Sequence, residues 1–127
     1  MKDYKSMVFV LMMGVGATGT ATITLNASSD ASATGAEAIA FNYRRVSAVG
    51  TSDVPGARTA ATTTGFATTA GSSQLYEIEV SAEDLPDGKP FVALTATEVV
   101  NSPVLGAVLA VMGEARYAGA TPKTAIA

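Results

Sequence analysis

The sequence predicts an all-β protein: a sandwich or barrel of about six to eight short antiparallel strands. Three observations lead there. Apolar and polar residues alternate with a period of two in Thr20–Ala27 and Gln74–Val80, as in strands with one buried face. Short β-branched runs are punctuated by Gly, Pro, Ser, Asp and Asn, the residues that turn a chain. No ten-residue stretch carries a convincing apolar stripe at helical spacing. A length of 127 residues fits one domain, read as 1–119, with 47–73 as a long excursion and 120–127 as a tail.

Ser6–Met13 is apolar on both faces, which predicts a strand inside a sheet. Its apolar run follows Lys2 and Lys5 and superficially resembles a signal peptide, but it stops at Gly14 and no cleavage motif follows. In Thr20–Ala27, Ala21, Ile23, Leu25 and Ala27 share the inner face. After a turn at Ser28-Ser29-Asp30, Ala38–Val46 reads as the third strand, with Ile39, Phe41 and Tyr43 inward. Asp30–Ala40 is the one place where a short helix competes, because alanine favours it. From Ser47 to Ser73 the composition shifts to Thr, Ala, Gly and Ser, as in a long excursion with one or two weak strands or a partly mobile loop, and one weak strand is expected around Phe66. Gln74–Val80 then turns Tyr76, Ile78 and Val80 inward. Glu83–Lys89 is a turn, and Phe91–Val99 and Val104–Gly113 complete the strands. The expected core is Phe9, Ile23, Leu25, Phe41, Ile78, Val80, Phe91 and Leu94.

Composition narrows the chemistry. The chain lacks His, Cys and Trp, so imidazole and thiolate metal sites, Ser-His-Asp and Cys-His catalysis, and disulfides are excluded. A net charge of −3 gives no electrostatic footprint for nucleic acid or an anionic membrane, and no apolar run reaches the ~18–20 residues of a helical span. Ala, Thr, Gly and Ser make up about half of the chain, so much of the surface consists of small uncharged side chains.

Several constellations resemble chemical motifs. Gly14-Val15-Gly16-Ala17-Thr18-Gly19 matches GxGxxG, but a dinucleotide site needs a helix to open at the third glycine. The β-branched alternation from Thr20 onward opposes one, so a glycine-rich hairpin loop is expected. Glu77 and Glu79 share a strand face at a spacing compatible with paired-carboxylate chemistry, and more simply solubilise that face. Glu83, Asp84 and Asp87 lack the spacing of a calcium loop. Arg44 and Arg45 point to opposite faces of their strand, with Glu77 or Glu79 a candidate partner for one of them. Arg116-Tyr117 pairs a planar cation with an amphipathic ring, a combination enriched at interfaces. The expected interface residues are therefore Arg44, Arg45, Phe66, Arg116 and Tyr117, with no catalytic, cofactor or metal site and no enzymatic activity.

The succession Thr20-Ala21-Thr22-Ile23-Thr24-Leu25, Ser28-Ser29-Asp30, Thr34-Gly35-Ala36, Ile39-Ala40-Phe41, Tyr76-Glu77-Ile78-Glu79-Val80, Asp84-Leu85, Asp87-Gly88 and Ala115-Arg116-Tyr117-Ala118 resembles small virion structural proteins of tailed bacteriophages. The likeness spans about residues 6–119 and lies in strand and turn patterns, not in an active-site motif. It implies a jelly-roll-like β-sandwich that acts as a head decoration, or minor capsid, protein on the capsid surface. The implied partners are the major capsid protein and copies of itself, with neither nucleic acid nor membrane. A ring-forming tail or head-to-tail connector protein is one alternative. A carbohydrate-binding β-sandwich is another, disfavoured by the absence of Trp and only 4 Tyr.

Overall fold

The computed structural model describes residues 1–16, 18–46, 54–71, 73–99 and 103–116. Among them are nine strands: β1 (Tyr4–Met13), β2 (Ala21–Ser28), β3 (Glu37–Ile39), β4 (Phe41–Val46), β5 (Thr59–Ala61), β6 (Phe66–Ala67), β7 (Gln74–Ser81), β8 (Phe91–Glu98) and β9 (Gly106–Ala115). They form two antiparallel sheets. The larger has the order β5-β4-β7-β1-β9. In the smaller, β2 is flanked on one side by β8 along its whole length and on the other by β3 and β6 end to end. The chain is an all-β sandwich.

The core lies between the sheets, built by the alternation visible in the sequence. Ile23, Leu25 and Ala27 of β2 and Ile78 of β7 are 0% exposed. Tyr76 and Val80 on β7, Met7, Phe9 and Leu11 on β1, and Ile39 and Phe41 close the cluster. β1 lies between β7 and β9, the interior position its two apolar faces predict.

Four expectations are corrected. Ala38–Val46 is not one strand: the chain bends at Ala40, so that Ile39 of β3 enters the core from the smaller sheet and Phe41 of β4 from the larger. A strand that changes sheets at a bend keeps its period-two pattern through the corner, which is why the run reads as continuous. The loop Gly14–Thr20 is not a hairpin, because β1 and β2 belong to different sheets and the loop crosses between them. Gly14 N donates to Leu105 O (2.8 Å), and a side chain at Gly16 would collide with Val104. Phe91 is not core. Its register partner is Ser28, on the face opposite that of Val92 and Leu94, and 45% of its surface is exposed. The described strands number nine instead of six to eight: Ala38–Val46 divides at Ala40, and the excursion holds β5 besides β6, the strand expected around Phe66.

Asp30–Ala40 forms a turn and β3 instead of a helix. The Asp30 carboxylate accepts from Ser32 N (2.9 Å) and Thr34 N (3.1 Å), and Ala33 adopts a positive φ of 62°. At Glu83–Lys89 the expected turn opens with a 3-10 turn, Ala82–Asp84, capped reciprocally by Ser81 and Asp84. Part of the excursion is tied to the domain by its own contacts. Thr68 N donates to Ala21 O (2.8 Å), and Ala21 N donates back to Thr68 Oγ1 (2.9 Å). Residues 47–53 of the excursion and the tail 120–127 lie outside the described residues.

Candidate interaction surface

The outer face of the larger sheet changes character from one side to the other. Cross-strand partners in an antiparallel pair share a face, so the registers Arg44↔Glu77 and Asn42↔Glu79 build a polar half on β4 and β7. There the Glu79 carboxylate meets two guanidinium groups, Arg58 Nε at 2.9 Å and Arg44 Nε at 3.6 Å. Arg44 Nε is itself buried and makes no hydrogen bond, so its attraction to Glu79 is a charge contact alone. The sequence-expected pairing of an arginine with Glu77 or Glu79 is thus made by Arg44 and Glu79. With both carboxylate oxygens engaged, Glu79 fastens β4, β7 and the segment before β5 together.

Crossing to β1 and β9 on the same face, the charges end. The registers Val8↔Val111, Val10↔Leu109 and Met12↔Ala107 assemble a wholly apolar half. Met12, Leu109 and Val111 are each about half exposed, at 46%, 55% and 49%. No Lys, Arg, Asp or Glu occurs between Ser6 and Met13 or between Gly106 and Gly113.

Among the described residues β9 is also the edge of its sheet, pairing with β1 alone. Its inward face, Val108, Ala110 and Met112, lies opposite Leu11, Phe9 and Met7. Those three β1 residues are buried, yet Val108 and Met112 are 50% and 44% exposed, because among the described residues the smaller sheet ends at β8 and does not cover them. Between these two edges a cavity of about 370 Å³ opens, its lining mostly apolar, with Leu11, Met13, Ala21, Val104 and Val108, and including the acidic residue Glu98. Natural sheets protect their edges with charge, proline or a bulge. Here the eight residues Gly106–Gly113 carry none of these charges or prolines, and Glu114, at a positive φ of 53°, stands next to the end of the strand.

The other sequence-expected residues lie elsewhere. Arg45, near the end of β4 on the face it shares with Tyr76, donates from Nη1 to Thr69 Oγ1 (2.8 Å). Phe66 stacks on Tyr43 with ring centroids 3.9 Å apart and tilts against Tyr76; its contacts are made within the domain, anchoring the excursion to the core. Arg116 is exposed, and its main-chain N donates to Asp3 O (2.9 Å). Tyr117 lies outside the described residues. Of the four expected residues among those described, the structure brings Arg45 and Phe66 together in the lining of one cavity with Tyr43 and Tyr76, and no cavity described shares Arg44 or Arg116 with them. The structure also assembles Val8, Val10, Met12, Val108, Leu109, Val111 and Met112, which sequence reasoning left out. The signal was present as the uncharged, non-alternating run through β9, but such a run reads equally as a strand buried on both faces.

Among the described residues no group of three or more acidic side chains is placed to hold a metal ion, and no helix is long and apolar enough to cross a membrane. No protein-family model, no curated protein and no solved structure matches the chain.

Proposed function

We propose that this chain is a non-enzymatic structural protein of a tailed-phage virion, a head decoration protein that binds the major capsid protein and sits on the capsid surface among copies of itself. The observation that carries the reading is the uncharged, apolar half-face of β1 and β9 together with the free edge beside it. An exposed apolar surface of this kind marks an interaction site. Covering what remains exposed of Met12, Leu109 and Val111 contributes roughly 1 kcal/mol each, half the value for a fully buried side chain. No charge has to be stripped of water in doing so, which avoids the main cost of burying a polar face. Contacts of this strength are modest singly and become firm when repeated by symmetry over a shell. The resemblance of the strand and turn pattern to phage virion proteins supplies the setting, and the geometry supplies a surface suited to it.

The test is electron microscopy of purified particles of the phage that encodes the chain, labelled with antibody against it. Label distributed over the shell supports the reading. Label confined to the tail or the neck places the chain in a connector or tail structure instead, and particles without label refute a virion role.

A further inference from the structure

We infer that the free edge of β9 pairs with the β9 edge of a second copy, antiparallel about a twofold axis centred on Leu109, to make one continuous sheet across two subunits. The inference deepens the assembly reading above and rests on it for its biological setting, but it concerns a contact that exists in solution.

The argument begins with main-chain direction. Hydrogen-bonding groups alternate sides along a strand. Leu105 O accepts from Gly14 N on the β1 side, so residues 107, 109 and 111 also turn their main chain to β1. Gly106, Val108, Ala110 and Met112 then present N–H and C=O to the open edge. Two antiparallel copies related by a twofold axis normal to the sheet place residues of the same parity opposite each other. Centred on Leu109, the register pairs Val108 with Ala110 and Gly106 with Met112, giving about eight main-chain hydrogen bonds, two for each hydrogen-bonded pair. Leu109 meets Leu109 of the second copy as a non-hydrogen-bonded pair, the type in which side chains approach most closely.

Charge selects the second copy and this orientation. The paired stretch Gly106–Met112 is free of Asp, Glu, Lys and Arg, and the proposed ladder stops before Glu114, which has a positive φ of 53° next to the end of β9. Antiparallel pairing puts Glu114 opposite Val104 of the second copy, whereas parallel pairing would set the two Glu114 side chains beside each other. The apolar stripe of Val8, Val10, Leu109 and Val111 then runs unbroken across the axis. One copy's uncharged edge is thus complementary to its own reverse, the requirement of a contact that uses the same patch twice.

The experiment uses the full chain, which has no cysteine of its own. In the proposed register, Leu109→Cys places two thiols across the axis within disulfide reach. Val111→Cys places them opposite Ala107 instead. Under mild oxidation Leu109→Cys is expected to form a disulfide-linked dimer on the order of tenfold faster than Val111→Cys. Sedimentation velocity should show reversible dimerisation of the unmodified chain. Dimerisation should be lost in Ala110→Pro, which removes an edge-facing N–H at a position where proline is tolerated, with the circular dichroism spectrum unchanged. Equal crosslinking of the two cysteine variants, or a chain that stays monomeric as concentration is raised, overturns the pairing. Should Ala110→Pro fail to fold, Val108→Lys serves as the second edge variant, and its dimerising like the unmodified chain would equally refute the inference. These solution results are independent of where label falls on particles, so a failed pairing leaves the virion reading standing and a failed virion reading leaves the pairing standing.

Discussion

Replacing Ile78 by Ala tests whether the core was assigned to the correct face of β7. Ile78 is 0% exposed, and β7 is held on both sides, with Phe9 of β1 and Tyr43 of β4 as its register partners. Truncation removes buried methyl groups and leaves a void, and large-to-alanine changes at such sites cost about 2–5 kcal/mol according to how far the site can collapse. Two full ladders fix the backbone around Ile78, so collapse is restricted and a cost of roughly 3–5 kcal/mol is expected. Against a total stability of about 5–15 kcal/mol for a domain, that is a large fraction. The midpoint of thermal unfolding should fall by roughly 10–20 °C. Urea titration of the unmodified and variant chains, followed by circular dichroism at low protein concentration, measures the cost directly, with an unchanged slope confirming that the same surface unfolds. Val111→Ala, half exposed on the outer face, serves as the control and should shift stability by no more than about 0.5 kcal/mol. Equal effects of the two substitutions would refute the difference in burial between the two faces, and a larger effect at Val111 would mean that inner and outer are exchanged.

Three further outcomes follow from particular contacts. The Tyr76 hydroxyl donates to the buried Gln74 Oε1 (2.9 Å) and accepts from Thr69 N (3.1 Å), so Tyr76→Phe, which orphans both, should cost about 1–3 kcal/mol in the same titration. Gly65 has a φ of +75°, and a Cβ there would run into the main-chain oxygen of Ile23; Gly65→Ala should therefore cost roughly 2–4 kcal/mol and loosen β6, read as faster amide exchange at Phe66 and Ala67. Hydrogen bonds from Thr34, and then from Ser32, hold the Asp30 carboxyl below its ordinary value of 3.8. A lowered carboxyl favours the folded state above that value and loses its contribution as pH falls through the lowered one. Carboxyl chemical shifts should accordingly show Asp30 titrating below 3.8, and Asp30→Asn should flatten the acid limb of stability over that window.

Much of the fold was legible because a period of two fixes faces whatever the strand order. Tyr76, Ile78 and Val80, and Ile23, Leu25 and Ala27, needed only their alternation to be placed inward. Strand order and sheet membership are set by contacts distant in sequence, and those are what the pattern could not convey. Ile39 and Phe41 keep their spacing through the bend at Ala40, so nothing in the run marks the change of sheet. Gly14–Thr20 has the composition of a hairpin turn and serves instead as a crossing between layers. Phe91 and Leu94, both expected in the core, are three apart and so lie on opposite faces of β8: Leu94 packs partly buried against the core and Phe91 faces out. The interaction surface was the least visible part. An uncharged run such as Gly106–Gly113 is compatible with an interior strand, and only the topology, which among the described residues leaves β9 at an edge, turns its apolar side chains outward. Conversely, Phe66 looked available in a loop of small residues, and the structure occupies it against Tyr43.

The claim that the apolar half-face of β1 and β9 attaches this chain to a larger assembly is tested most directly by the copy number of Val111→Lys in purified particles. Val111 projects from the outer face at 49% exposure, so lysine leaves the free domain folded and places an ammonium group wherever that face is covered. Burying an unpaired charge costs about 3–5 kcal/mol, and each 1.4 kcal/mol is about a tenfold loss of occupancy when binding is weak. Quantitative mass spectrometry of particles assembled with the variant is expected to find its copy number reduced at least tenfold while its unfolding curve matches that of the unmodified chain. Particles carrying the variant at the unmodified copy number would contradict the account.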